Sequence, residues 1–314
     1  MDKPHIEHRP STAIALKLTA VFLFMCMAAM IKEATQEVPP GQAVFFRSSC
    51  AIPVILLWLA QRGELREGLI PNNLLNHIWR GVFGTSAMIL TFGGLMLIPL
   101  PEATAIGYAT PMFTVILAAV FLGERVRIFR LSAVALGLFG VMIVMAPRMS
   151  LDADTLTTGA TLGAFMTLAA ALLRALVQIH VRKMVASEHT AAIVFYFSLT
   201  ATCLSLLSIP FGWVWPSPYA LSLVVCAGLV GGVAQIMVTS SYRFGAASML
   251  APFDYSSLIF ASIIGYVIFS ETVTLNMALG AGLVVAGGVI IIWRERQLGM
   301  DRAKSRAATA PKGE

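Results

Sequence analysis

Charge is scarce in this chain. Of its 314 residues only 12% are Asp, Glu, Lys or Arg, while 58% are hydrophobic; a soluble domain carries about a quarter charged residues. The mean hydropathy of +0.81 agrees, and together these exclude an ordinary soluble enzyme or binding domain. Catalytic signatures are missing too. There is no GxxxxGK[ST] loop to cradle a nucleotide, no GxSxG, and no HExxH or paired His/Asp set to hold a metal. The histidines His5, His8, His77, His180 and His189 lie in tails or near the ends of apolar runs. The four cysteines, Cys26, Cys50, Cys203 and Cys226, fall inside apolar runs without CxxC spacing, so they read as small hydrophobes rather than a disulfide framework or ligand set. No metal or other cofactor is implied. The net charge of +6 and pI near 9.4 do not mark a nucleic-acid binder, because the basic residues occupy short loops and tails, which is a membrane pattern.

What the chain has in abundance is long apolar sequence. A hydrocarbon core of about 30 Å needs roughly 20 apolar residues per helix, and ten such runs are present: 13–31, 42–60, 77–98, 101–122, 130–146, 157–180, 191–209, 219–242, 246–269 and 273–293. Barrel strands are excluded, since they would be about 10 residues long with polar alternation. Turn chemistry separates the runs at Pro39-Pro40-Gly41, Pro99-Leu-Pro101, Gly123-Glu124, Pro147, Pro210, Pro216-Ser-Pro218 and Gly245. Trp58, Trp79, Trp213, Trp215 and Trp293 all stand at run ends, where interfacial anchors belong. The first run follows Lys3, Arg9 and Lys17 but is too long for a signal core and lacks a small-x-small cleavage site, so it reads as a retained first helix.

Basic residues orient the array. With a cytoplasmic N-terminus and ten crossings, 17 lysines and arginines fall inside and only Lys32 and Arg148 outside, leaving Arg47, Arg80 and Arg174 within spans. The division that follows is a cytoplasmic tail (1–12), a first five-helix unit (13–146), a second (157–293), and a basic cytoplasmic tail without regular structure (294–314).

The two units resemble each other. At an offset of 147 residues Tyr108 meets Tyr255, Phe121 meets Ile268, Glu124 meets Glu271 and Gly140 meets Gly287. Five helices per unit is odd, so the second unit must be inverted. The flanking charges agree: Arg125, Arg127 and Arg130 follow Glu124, while no basic residue follows Glu271 in Thr272-Val-Thr-Leu-Asn276. Inverted repeats with a site at their interface recur in secondary transporters. The fold class expected is therefore an all-α integral membrane protein of ten transmembrane helices in two inverted five-helix repeats.

The stretch Glu102-Ala-Thr-Ala-Ile-Gly-Tyr-Ala-Thr-Pro111 with Phe-Leu-Gly-Glu124-Arg, together with Phe45-Phe-Arg47 and Pro252-Phe-Asp-Tyr255 with Phe269-Ser-Glu271, resembles the EamA-like family of the drug/metabolite transporter superfamily. The likeness covers roughly residues 13–293, in both halves. It implies both termini in the cytoplasm, a bacterial inner membrane, and a central cavity lined by helices 1, 3, 4, 6, 8 and 9. The Phe-Asp-Tyr variant is most similar to the metabolite-uptake branch typified by S-adenosylmethionine or riboflavin transporters. The halves depart from one another where Leu258 stands in place of Pro111 and Ser270 in place of Gly123.

Ionisable groups inside a span need a reason to be there. Asp254, just after the helix-breaking Pro252, either binds a cationic group or coupling proton or caps the resumed helix through the Ser256 or Ser257 amide. Tyr108 and Tyr255, related by the repeat, offer aromatic walls with hydroxyl tips, or else pack ordinarily. Pro111 is expected to bend the fourth helix. Arg47 lies at a depth near Lys32, Glu33 and Glu102, which favours a structural ion pair over a gate or carboxylate anchor. Arg174 and Gln178 are one turn apart and would line a vestibule, unless Arg174 snorkels. Arg80 reads with Trp79 as an interfacial anchor. Gln235, among Gly228, Gly231 and Gly232, is a further candidate for solute contact. Glu124 and Glu271 are read as structural, pairing with arginine or with amides of neighbouring helices. The function expected is alternating-access transport of a small organic metabolite, a cationic or ring-bearing one favoured, with lipid around it and a coupling proton or counter-substrate. Efflux of amino acids or drugs by the same fold is the alternative; an integral-membrane enzyme, a channel and a receptor are remote ones.

Overall fold

The computed structural model describes residues 10–122, 128–146, 159–184, 188–244 and 250–309, and its regular elements there are all helical. In chain order these are α1 (Pro10–Ala34), α2 (Pro40–Gln61), a short α3 (Leu65–Gly68), α4 (Leu74–Leu97), α5 (Leu100–Gly107), α6 (Ala109–Leu122), α7 (Ile128–Met145), α8 (Gly159–Met184), α9 (Thr190–Ser205), α10 (Pro218–Phe244), α11 (Ser256–Phe269) and α12 (Leu275–Thr309). Two 3-10 segments, Leu206–Phe211 and Ala251–Tyr255, follow α9 and precede α11. Among the described residues six stretches are long and apolar enough to cross a membrane: Ser11–Ala34, Pro40–Gln61, Leu74–Leu97, Gly159–Val181, Ala191–Phe211 and Pro218–Val238. Leu131–Met145, Phe253–Phe269 and Leu275–Ile290 are shorter apolar helices. Large apolar side chains such as Leu162, Phe139, Met142 and Ile263 are exposed, which suits lipid rather than water.

Two apolar runs are broken, each for a local reason. The run 101–122 divides at Tyr108, which closes α5 with its N–H on the Ala105 and Ile106 carbonyls. The break comes three residues before Pro111, where a bend was expected. Proline lacks the N–H that would bond the carbonyl four residues back; here that carbonyl is Gly107's, and Thr110 Oγ1 donates to it at 2.8 Å instead. Pro111 thus sits in the first turn of α6, where no donor is missed. In the second half Pro252 lies in the 3-10 segment that precedes α11, as a helix-breaking proline should. Ser270 closes α11 at φ +54°, a left-handed position that glycine usually fills. At the C-terminal end, α12 runs on through Thr309, so residues 294–309 are helical rather than an irregular tail; their Ala, Arg, Glu, Gln and Lys content favours helix.

The helices pack in pairs. α1 lies on α10, α4 on α8, α7 on α12, and α2 on both α9 and α10; α4 also meets α9, α6 meets α8, and α1 meets α11. Glycines bring α7 and α12 together backbone to backbone: a Cβ on Gly140 would stand 2.6 Å from the Gly280 carbonyl oxygen, and one on Gly287 would stand 2.7 Å from that of Ala133. Small residues allow such approach between helices that gain nothing from water exclusion in lipid.

Candidate functional site

The residues singled out at the two helix breaks do meet. The Tyr108 and Tyr255 rings lie 5.0 Å apart at 59°. The Tyr108 hydroxyl donates to the Asp254 carbonyl oxygen at 3.1 Å, accepts from the Leu258 N–H at 3.2 Å, and bonds the Ser257 hydroxyl. Leu258 N–H belongs to the first turn of α11, where amides lack helical partners, so Tyr108 caps the helix of the other half. The Tyr255 hydroxyl end rests on Gly288 of α12. Both rings are thus engaged in packing. Asp254 departs from expectation: its side chain is 51% exposed and pairs with Lys17 Nζ at 2.7 Å, while Lys17 is 3% exposed. It is not an isolated intramembrane acid, and the 3-10 segment has it cap neither Ser256 nor Ser257; instead the Ser257 hydroxyl donates to its backbone carbonyl at 2.8 Å.

The opposite end of α1 carries a second ion pair. Lys32 Nζ stands 3.0 Å from Glu271 Oε1, each side chain 12% exposed. Lys32 also donates to the Leu95 and Ile98 carbonyls at 3.0 and 2.6 Å, and Glu271 Oε2 accepts the Leu100 N–H at 2.9 Å. The chemistry follows from the Pro99-Leu-Pro101 turn, which leaves carbonyls at the end of α4 and an amide at the start of α5 without helical partners. The pair satisfies both. Glu271 therefore binds a neighbouring helix's amide as expected, but its basic partner is lysine, not arginine. Glu102 is buried in the first turn of α5. Glu124, the repeat-related counterpart of Glu271, lies outside the described residues.

The three intramembrane arginines converge. A cavity of about 250 Å³ is lined by Arg47 from α2, Arg80 from α4 and Arg174 from α8, with Met27, Thr91, Phe92, Val177 and Phe197 among its walls. Arg47 is 7% exposed. Among the described residues none of the three has a hydrogen bond or an ion pair, and the Nε atoms of all three are buried without a partner. Arg80 lies over the Phe197 ring, 4.1 Å from its centre, and Arg174 lies against Gly107 at the end of α5. The expected Arg47–acid pair is therefore not formed. Arg80 is no interfacial anchor but turns inward, while Trp79 beside it stays 50% exposed; adjacent residues on a helix face about 100° apart. Arg174 lines the cavity and does not snorkel. Gln178, one turn on, is exposed and accepts from Thr114 Oγ1 at 3.0 Å. Gln235 is half-buried on α10 and is not part of the cavity wall. The wall of this cavity comes from helices 1, 2, 3, 6 and 7 of the ten runs, and so shares helices 1, 3 and 6 with the set that the family resemblance implies.

A helical bundle with two broken helices and an arginine-lined cavity between its helices invites comparison with membrane transporters. The model of the EamA-like transporter family matches residues 11–146 and again 161–293. The chain belongs to the EamA-like transporter family. Its membership and its apolar helices make it an integral, multi-pass membrane protein. It is 29% identical to the pseudopaline exporter CntI of Pseudomonas aeruginosa over 90% of this chain and 93% of that one. It is 25% identical to an S-adenosylmethionine uptake transporter of Rickettsia felis, over 82% and 84%. One crystal structure aligns with a TM-score of 0.63 at 22% identity, covering 92% of this chain and 99% of that chain, which speaks for the fold alone. Family relatives thus include proteins named for export and for uptake, and the signal for the arginine cavity was present in the sequence as three basic residues that the charge count left inside spans. Their meeting was not legible there.

Proposed function

We propose that this EamA-like protein is a secondary transporter that moves a small organic metabolite across the membrane by alternating access, holding it in the arginine-lined cavity. The observation that carries the reading is that cavity: a concave, mainly apolar site with a few converging polar groups, built between helices from both halves. In this reading all ten apolar runs span, as two inverted five-helix repeats with both termini in the cytoplasm of an inner membrane. The packing supports it. Exchanging the halves turns the α1–α10 contact into α8–α4, α2–α10 into α9–α4, and α6–α8 into α11–α1, and all of these pairs are in contact. The Gly140–Gly280 approach likewise turns into Gly287–Ala133, which is also present.

Two ion pairs then serve as gates. Lys17–Asp254 and Lys32–Glu271 lie 15 residues apart on α1, roughly 22 Å at 1.5 Å per residue, and both hold α1 to the segment around α11. Access from the cytoplasm requires the first to open, and access from outside the second, with a coupling proton or counter-moving solute supplying the energy. A cationic solute, favoured by the sequence, fits this cavity poorly, because the ionisable groups of its wall among the described residues are all guanidiniums. Purified protein in proteoliposomes, assayed for saturable and counter-stimulated flux of a labelled metabolite panel, tests the reading. Absence of flux for every member, or ohmic current in place of saturation, would refute it.

A further inference from the structure

We infer that the solute is a small organic anion with two or more anionic groups, held by Arg47, Arg80 and Arg174 together; this rests on the transporter reading above. The argument starts from charge. Arginine keeps its proton in proteins, so the cavity carries three positive charges whose buried Nε atoms meet no acceptor among the described residues. Arg47 and Arg80 are close enough to repel one another. A buried charge is tolerated when paired and hydrogen-bonded, and is strongly unfavourable otherwise. Among the described residues the wall offers no carboxylate: apart from the guanidiniums its polar side chain is the Thr91 hydroxyl, and the rest is Met27, Phe92, Phe197 and similar apolar groups. The missing counter-charge must therefore come with whatever occupies the cavity.

Geometry narrows the class. Guanidinium presents a planar fork of N–H donors that matches carboxylate or phosphate oxygens in pairs. The forks come from three different helices, α2, α4 and α8, so a solute with two or more acidic groups can offer each fork an acceptor of its own and balance more of the three charges than a single acid does. The volume of about 250 Å³ is slightly below the ~300–1,000 Å³ of ordinary small-molecule sites, which suits a di- or tricarboxylate or an acidic amino acid of modest size. Apolar walls keep water out and so strengthen each contact. The arrangement also bears on transport. Arg47 and Arg80 stand on helices at different ends of the proposed crossing, about seven residues from the start of α2 and six from the start of α4. An anion bridging them neutralises charges contributed from both sides, and its departure leaves them repelling.

The test uses the full chain in proteoliposomes with labelled succinate, citrate, glutamate and phosphoenolpyruvate, beside arginine, choline and alanine as cationic and neutral probes. Wild type is expected to carry at least one of the four anions, with competition among them and none from choline or arginine. Arg47→Gln, Arg80→Gln and Arg174→Gln should each lower that flux roughly 10- to 100-fold, the loss of one charge-assisted contact, with the lysine variants intermediate. A second measurement separates misfolding from lost recognition: in detergent, without anions, the glutamine variants should melt at or above the wild-type temperature, because each removes an uncompensated charge. Citrate should raise the melting temperature of wild type and not of the variants. Flux of the cationic or neutral probes alone, undiminished in the glutamine variants, would overturn the anion assignment and leave the transporter reading standing. No flux of any probe would count against the transporter reading; a citrate-specific melting shift would then still uphold the anion site, and its absence, or an equal shift from chloride alone, would overturn it.

Discussion

Breaking the Lys32–Glu271 pair should destabilise the protein far more than neutralising both of its members. At 3.0 Å the bare attraction is about 5.5 kcal/mol for an effective dielectric constant near 20, and desolvating two ions takes much of that back. Their surroundings decide the rest. In Glu271→Gln the new amide oxygen can still accept the Leu100 N–H, and Lys32 keeps the Leu95 and Ile98 carbonyls, yet its charge is left largely buried. The cost falls near the lower end of the ~3–5 kcal/mol typical of a broken buried pair. Lys32→Met should cost a similar amount, because it strands the carboxylate and removes the donor from both carbonyls. The double variant Lys32→Met/Glu271→Gln carries no stranded charge and should lie within about 2 kcal/mol of wild type, so the single costs, about 6 kcal/mol together, overshoot it by a coupling energy of ~4–6 kcal/mol. Reversible unfolding in mixed detergent micelles reads all four proteins. Additive single effects, or a Glu271→Gln variant within 0.5 kcal/mol of wild type (an effect below the ~1 kcal/mol of a typical point change), would refute the account of this pair. If it also gates, the folded double variant should show raised uncoupled leak in proteoliposomes.

Two further outcomes follow from single side chains. Tyr108→Phe keeps the ring contact with Tyr255 but leaves the Leu258 N–H without its acceptor, so thermal stability should fall by ~1–3 kcal/mol; an unchanged melting curve would show that water replaces the hydroxyl. Burial pushes the carboxyl of Glu188, in the loop before α9, upward, but hydrogen bonds from the Asn72 and Asn73 N–H groups and the His77 imidazole 3.2 Å away outweigh that and hold it below the ordinary range. A depressed carboxyl contributes stability that is present above its unfolded value and lost as pH falls through the folded one. Wild type should therefore lose stability below about pH 4, and Glu188→Ala should be less stable at pH 7 with a shallower acid slope; parallel curves would contradict this.

The gap between what was legible in the sequence and what was not has a physical pattern. Periodic and compositional features carried over: apolar runs became helices, Pro252 broke one, and Tyr108 and Tyr255, which the repeat singles out, lie ring to ring. Each depends on residues close in the chain or on the repeat. Side-chain partners did not carry over. Asp254 found Lys17 and Glu271 found Lys32 because α1 packs along α11, which no local pattern announces. The depth of Arg47 suits one half of an ion pair and that of Arg80 an anchor, but depth alone does not say which way either side chain turns.

Sequence alone determined that this chain is a bundle of apolar helices with related halves and the motifs of EamA-like transporters, since burial in lipid and helix geometry act on runs of about 20 residues wherever the helices finally sit. The tertiary structure decided which faces turn inward. An arginine at a given depth can reach headgroups, pair with an acid or line a cavity, and its rotation about the helix axis relative to the neighbouring helices selects among these. That rotation turned Arg47, Arg80 and Arg174 into one cavity wall, and moved the proposed solute from a cation to an anion.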